Sequence, residues 1–76
     1  MKIQILGTGC PKCRMLTAHA EQALKELGMN AEIEKVDQLA DIARMGVMIT
    51  PGFAVDGVVK ASGHVLSVQQ IKELLA

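Results

Sequence analysis

Cys10-Pro11-Lys12-Cys13 holds the only two cysteines in the 76-residue chain. Two thiols at this spacing can exchange with a disulfide, hold a soft metal ion, or sense oxidation. The pair follows the strand-like run Ile3-Gln4-Ile5-Leu6 and opens a helical pattern. A helix N-terminus presents unpaired N–H groups and the positive end of a dipole, and both favour a thiolate over a thiol. A free cysteine with a pKa of about 8.5 is about 3% ionised at pH 7, whereas one lowered to about 7 is half ionised. A dithiol/disulfide redox site is the first reading.

The helix that follows separates the two sulfurs. From Pro11 to Leu27, Cys13, Leu16, Ala20, Ala23, Leu24 and Leu27 recur at three- and four-residue steps, the signature of an amphipathic helix. Cys13 shares the apolar stripe and should face the core. Cys10 precedes the first turn, off the stripe, and should be the exposed attacker, with Cys13 the resolving thiol. Pro11 suits the first helical position, where an N–H would have no partner. Lys12 adds positive charge beside Cys10. Glu21 and Lys25 are spaced to pair on the helix surface, and Gly28 stops the helix.

The remaining elements must hold this junction in place. Lys2–Leu6 reads as a strand, with Gly7-Thr8-Gly9 as the turn after it. Ala31–Val36 alternates with Glu32 and Glu34, as in a strand near a sheet edge. Asp37 is placed to cap a short helix through Leu39, Ile42 and Ala43 that ends near Gly46. Gly52-Phe53-Ala54-Val55 is continuously apolar, like a central strand covered on both faces, and Asp56-Gly57 turns it into Val58–Ala61. Ser67 and Gln70 form a capping box for the last helix, with Leu66 stapled onto Ile71 and Leu74 and Leu75 extending the apolar face. A right-handed crossover makes the first two strands parallel neighbours. The expected architecture is a single α/β domain over residues 1–76. It is a four-stranded mixed sheet in the order strand-helix-strand-helix-strand-strand-helix, with helices on both faces.

Composition narrows the function. Eight basic and eight acidic residues cancel, and no basic block or aromatic stripe suggests a nucleic-acid partner. No run approaches the roughly 20 apolar residues of a membrane span, and Met1-Lys2 leads directly into a strand rather than a signal peptide. The expectation is a cytoplasmic protein, where closely spaced cysteines read as catalytic, metal-binding or sensing rather than structural. As a staple the CxxC is poor, because the loop it closes is very short. Phe53 is the only aromatic residue, so the core must be aliphatic, with methionines such as Met45 and Met48 filling gaps.

With TGCPKC after the first strand and Thr50-Pro51 before an Asp-Gly hairpin, the chain resembles the thioredoxin superfamily over nearly its whole length. It looks most like the minimal glutaredoxin-like and thioredoxin-like redox-active disulfide proteins. The resemblance implies thiol–disulfide exchange without a cofactor, the reversible Cys10–Cys13 disulfide itself carrying the electrons. It also implies that Pro51 is cis and lies against the CxxC, that Thr50 offers its backbone to a substrate, and that a reductase or glutathione is the electron donor. The substrate would be a protein or small-molecule disulfide. Lys12 stands where glutaredoxins usually have tyrosine, and Gly9 where thioredoxins have tryptophan. No acidic residue in the first strand matches the buried aspartate of thioredoxins, leaving the proton acceptor for Cys13 unassigned. Ala61-Ser62-Gly63-His64 only loosely resembles the glutathione-holding segment of glutaredoxins.

The competing reading is a binding module in which both thiolates hold Cu(I) or another soft ion. Copper chaperones also place CxxC between a first strand and a helix, but in the order strand, helix, strand, strand, helix, strand. A closed zinc site would need further ligands, and His19 and His64 are the other obvious candidates. His19 sits on the flank of the first helix, where a solvated side chain is expected. His64 lies in the loop before the last helix, where a plainly solvated side chain is the first expectation and contact with a substrate carboxylate the alternative.

Overall fold

The computed structural model describes residues 1–75 and runs β1 (Lys2–Leu6), α1 (Pro11–Leu27), β2 (Glu32–Val36), α2 (Leu39–Arg44), β3 (Gly52–Val55), β4 (Val58–Ser62) and α3 (Val68–Leu75). The four strands form one sheet in the order β2-β1-β3-β4. β1 pairs in parallel with β2, Leu6 opposite Val36, and antiparallel with β3, Ile5 opposite Phe53. β3 and β4 form the hairpin, with a register shift between Phe53 and Ala54. Asp56 (φ 50°) and Gly57 (φ 84°) both take positive φ, as a two-residue primed turn requires.

The period of two along β1 and β3 divides the core between the faces of the sheet. Ile3, Ile5 and Phe53 pack with Leu16, Ala20 and Leu24 of α1 and Ile71 and Leu75 of α3. Leu6 and Ala54, pointing the other way, pack with Ile42 and Val47 beside α2. Phe53 is fully buried on the larger side, so the one aromatic ring anchors the interface that seats α1.

Local details depart from the sequence reading in several places. The N-cap of α2 is Gln38, with no side-chain cap bond, and Asp37 stands one residue earlier. Only Ile42 of this short helix is buried, and Leu39 is exposed. β2 begins at Glu32 rather than Ala31, and β4 extends one residue further, to Ser62. Glu21 and Lys25 form no ion pair among the described residues. Glu26 instead accepts a hydrogen bond from Gln22 (2.8 Å) and pairs with Lys72 of α3 (3.0 Å), which ties the two helices together. Met45 borders the smaller cluster as a filler should, but Met48 is 89% exposed and fills nothing. At α3 the capping box forms in both directions: the Gln70 N–H donates to Ser67 Oγ (3.1 Å) and the Ser67 N–H donates to Gln70 Oε1 (2.9 Å).

Candidate functional site

Cys10 is the N-cap of α1, in extended conformation (φ −67°, ψ 163°), with Pro11 at the first helical position. Its sulfur accepts a hydrogen bond from the Cys13 backbone N–H at 3.3 Å. The cap therefore aims one of the helix's unpaired donors at the sulfur, where it stabilises negative charge. Both cysteines are free; Cys10 is half-buried and Cys13 is 4% exposed. Hydrogen bonding from the Cys13 thiol and then from the Cys13 backbone holds the Cys10 pKa below the ordinary thiol value. Burial first, and then the neighbouring Cys10, push Cys13 the opposite way. The backbone N–H of Lys12 also lowers Cys10.

Gly7 makes room for the resolving position. A Cβ on Gly7 would overlap Cys13 Sγ and lie 3.2 Å from Cys13 Cβ and 3.9 Å from Cβ of Thr50. Cys13 and Thr50 therefore both border a residue that must have no side chain. The Gly7 N–H donates to Val36 O at 2.9 Å, fastening this turn to the end of β2. Inside α1 the Thr17 hydroxyl donates to Cys13 O at 3.0 Å.

The second wall of the site is the loop before β3. The Thr50–Pro51 peptide is cis, and Pro51 is buried. The end of β4 holds this loop from the other side: the Gly63 N–H donates to Pro51 O (2.8 Å) and the Ser62 hydroxyl to Ile49 O (3.0 Å). Met48 and Ile49, just before Thr50, are exposed apolar residues.

The histidines lie apart from this arrangement. His19 is half-buried rather than solvated, and its Nδ1 sits 2.8 Å from Leu66 O, so it bridges α1 to the entry of α3. His64 is exposed. Among the described residues no group of three or more His, Cys, Asp or Glu side chains converges as a closed zinc site would need. Sequence reasoning missed Gly7, Thr17, Lys35 and the position of Asp37, which line one cavity with Cys13. The available signal was the parallel pairing of β1 and β2, which sets the residues after Leu6 beside those after Val36.

A four-stranded mixed sheet with a free CxxC at the first strand–helix junction and a cis-proline loop beside it defines the thioredoxin-like class. A thioredoxin-domain family model matches residues 1–76, and the chain belongs to that family of thiol–disulfide oxidoreductases. It is 49% identical over 76 residues to a thioredoxin of Methanothermobacter thermautotrophicus, covering 100% of this chain and 99% of that protein. A thioredoxin of Methanocaldococcus jannaschii is 47% identical over 73 residues, covering 96% of this chain and 84% of its own length. A solved structure described as that of a malarial protein shares the fold, with a TM-score of 0.70 at 17% identity over 97% of this chain and 91% of its own. No helix among the described residues is long and apolar enough to cross a membrane.

Proposed function

We propose that Cys10 and Cys13 exchange disulfides with a protein substrate, Cys10 as nucleophile and Cys13 as resolving thiol. The observation that carries this reading is the contrast within one helical turn. Cys10 receives an N–H bond and is lowered, while Cys13 is buried and raised. The Cys10 thiolate attacks one sulfur of the substrate and releases the first thiolate; Cys13 then attacks Cys10 Sγ, releasing the second and leaving Cys10–Cys13 oxidised. Thr50 lies across the same gap, where its backbone can align a substrate peptide, and Pro51 shapes that wall. The exposed Met48 and Ile49 offer such a peptide an apolar contact.

The electron donor in this reading is a protein reductase rather than glutathione. Ser62 and Gly63 fall in the segment that loosely resembles a glutathione clasp, and both already donate hydrogen bonds to the Ile49–Pro51 loop. The same reading places the protein in a reducing, cytoplasmic setting.

Insulin reduction tests this directly, run once with a thioredoxin reductase and once with glutathione plus its reductase. Turnover is expected with the first donor and lost in Cys10→Ser, while Cys13→Ser should trap a mixed disulfide on Cys10. No reduction with either donor would overturn the assignment.

A further inference from the structure

Backbone polar groups in a loop must find partners or face solvent, and between Ile49 and Pro51 the partners are unevenly shared. The Ile49 C=O accepts from the Ser62 hydroxyl (3.0 Å), and the Pro51 C=O accepts from the Gly63 N–H (2.8 Å). Pro51 itself has no N–H. One donor and one acceptor are left, the N–H and C=O of Thr50, and neither has a partner among the described residues. A residue with both groups free is the unit that pairs with an added strand. Thr50 and Cys13 both border Gly7, so a peptide paired there passes close to the sulfurs.

The Ile49–Thr50 peptide is trans. In a trans peptide the C=O and the following N–H point in opposite directions. Whatever fixes the Ile49 C=O therefore fixes the Thr50 N–H, and the group that does so is the Ser62 hydroxyl. Ser62 is exposed at the end of β4, the edge strand of the sheet, so the core makes no demand on its side chain. Gly63 brings the loop within its reach. A Cβ on Gly63 would lie 2.9 Å from Ile49 Cγ2 and 3.2 Å from Ile49 Cβ, so only a glycine lets Ile49 settle this close to β4.

We propose that Ser62 is a positioning residue for peptide substrates: by holding the Ile49 C=O, its hydroxyl keeps the Thr50 N–H turned toward the backbone of a docked, disulfide-bearing chain. The inference rests on the exchange reading above, with Thr50 as the backbone contact. The Ser62 hydroxyl is spent on Ile49 and bonds neither cysteine. It should therefore govern how well an extended peptide docks and leave the chemistry of Cys10 alone. A small disulfide without peptide groups gains nothing from it.

Insulin and hydroxyethyl disulfide, which has no peptide groups, separate the two effects when each is reduced with thioredoxin reductase in excess. Ser62→Ala should raise the KM for insulin about fivefold through the loss of one hydrogen bond, with kcat unchanged. Its rate on hydroxyethyl disulfide and its thiolate titration midpoint should match wild type, which also shows that the variant is folded. Ser62→Thr keeps the hydroxyl and should restore the insulin KM. An unchanged insulin KM in Ser62→Ala, an equal loss on both substrates, or a raised KM that Ser62→Thr fails to lower overturns the proposal while the exchange reading stands. Wild-type protein that reduces hydroxyethyl disulfide but not insulin would remove Thr50 as a docking contact and the role of Ser62 with it. Reduction of neither substrate would overturn the exchange reading as well.

Discussion

At the sulfur atoms, three positions of chain separate two opposite environments, because the first sits outside the helix and the second inside it. Cys10 stands at the cap, where the donors of the first turn point. Cys13 stands on the buried stripe, where a charge has no water. In the reduced protein near pH 7, Cys10 should therefore alkylate much faster than Cys13, and equal rates measured by mass spectrometry would remove the attacker and resolver roles. The leading cause of the lowered Cys10 pKa is the Cys13 thiol. Cys13→Ala should thus raise the Cys10 titration midpoint toward the ordinary thiol value, and Cys13→Ser, which keeps an O–H donor, should raise it less. Thiolate absorbance against pH reads both. Gly7 is the other residue-scale constraint. Gly7→Ala puts a methyl where Cys13 Sγ lies, an overpacking that costs about 1–3 kcal/mol by denaturant melts. It should also speed Cys13 alkylation by forcing the sulfur toward solvent.

Among the elements, the two later helices differ in how their N-termini are satisfied. α3 has a reciprocal Ser67–Gln70 box, whereas α2 starts after a Gln38 that makes no side-chain cap bond. Ser67→Ala should cost about 1 kcal/mol, and Gln38→Asp should stabilise by a comparable fraction of that, both measured by urea unfolding. A neutral Ser67→Ala would show that α3 is held by packing alone. Its packing is substantial: Ile71 and Leu75 close the larger core against α1, and the His19–Leu66 and Glu26–Lys72 contacts fasten the two helices outside it. α1 is thereby braced along its length, which keeps its N-terminus, and both sulfurs, steady against the sheet.

Across the whole molecule, the core is aliphatic with a single ring at its centre, and a domain this small supplies only about 3–5 kcal/mol from such a core. Phe53→Ala should remove about 3–5 kcal/mol, enough to unfold much of the population at room temperature. Circular dichroism would read the loss, and a folded variant with near wild-type stability would show that the aliphatic residues carry the core without the ring. Phe53 also lies opposite Ile5 in β1 and two residues after Pro51 in the chain, so its loss acts on both walls of the site.

Much of this molecule was legible from local chemistry. The period of α1 and its Pro11 and Gly28 boundaries, the apolar run of β3, the Asp56-Gly57 turn and the Ser67–Gln70 box each depend on neighbours a few residues away, and each forms where the residues indicate. The different settings of Cys10 and Cys13 were readable for the same reason, since one helical stripe decides them. Contacts between distant segments were not readable. Asp37 has the composition of a helix cap, yet the parallel register of β1 and β2 sets it beside Gly7 and Cys13 instead. His19 looks like a surface residue until α3 folds back and brings Leu66 O to its ring. Gly7 reads as an ordinary turn residue, and only the docking of α1 brings a sulfur to the place where its side chain would be. Spacing along the chain carries the first kind of information, because it involves one element at a time. The second kind depends on how two elements dock, and that is decided when the whole core closes.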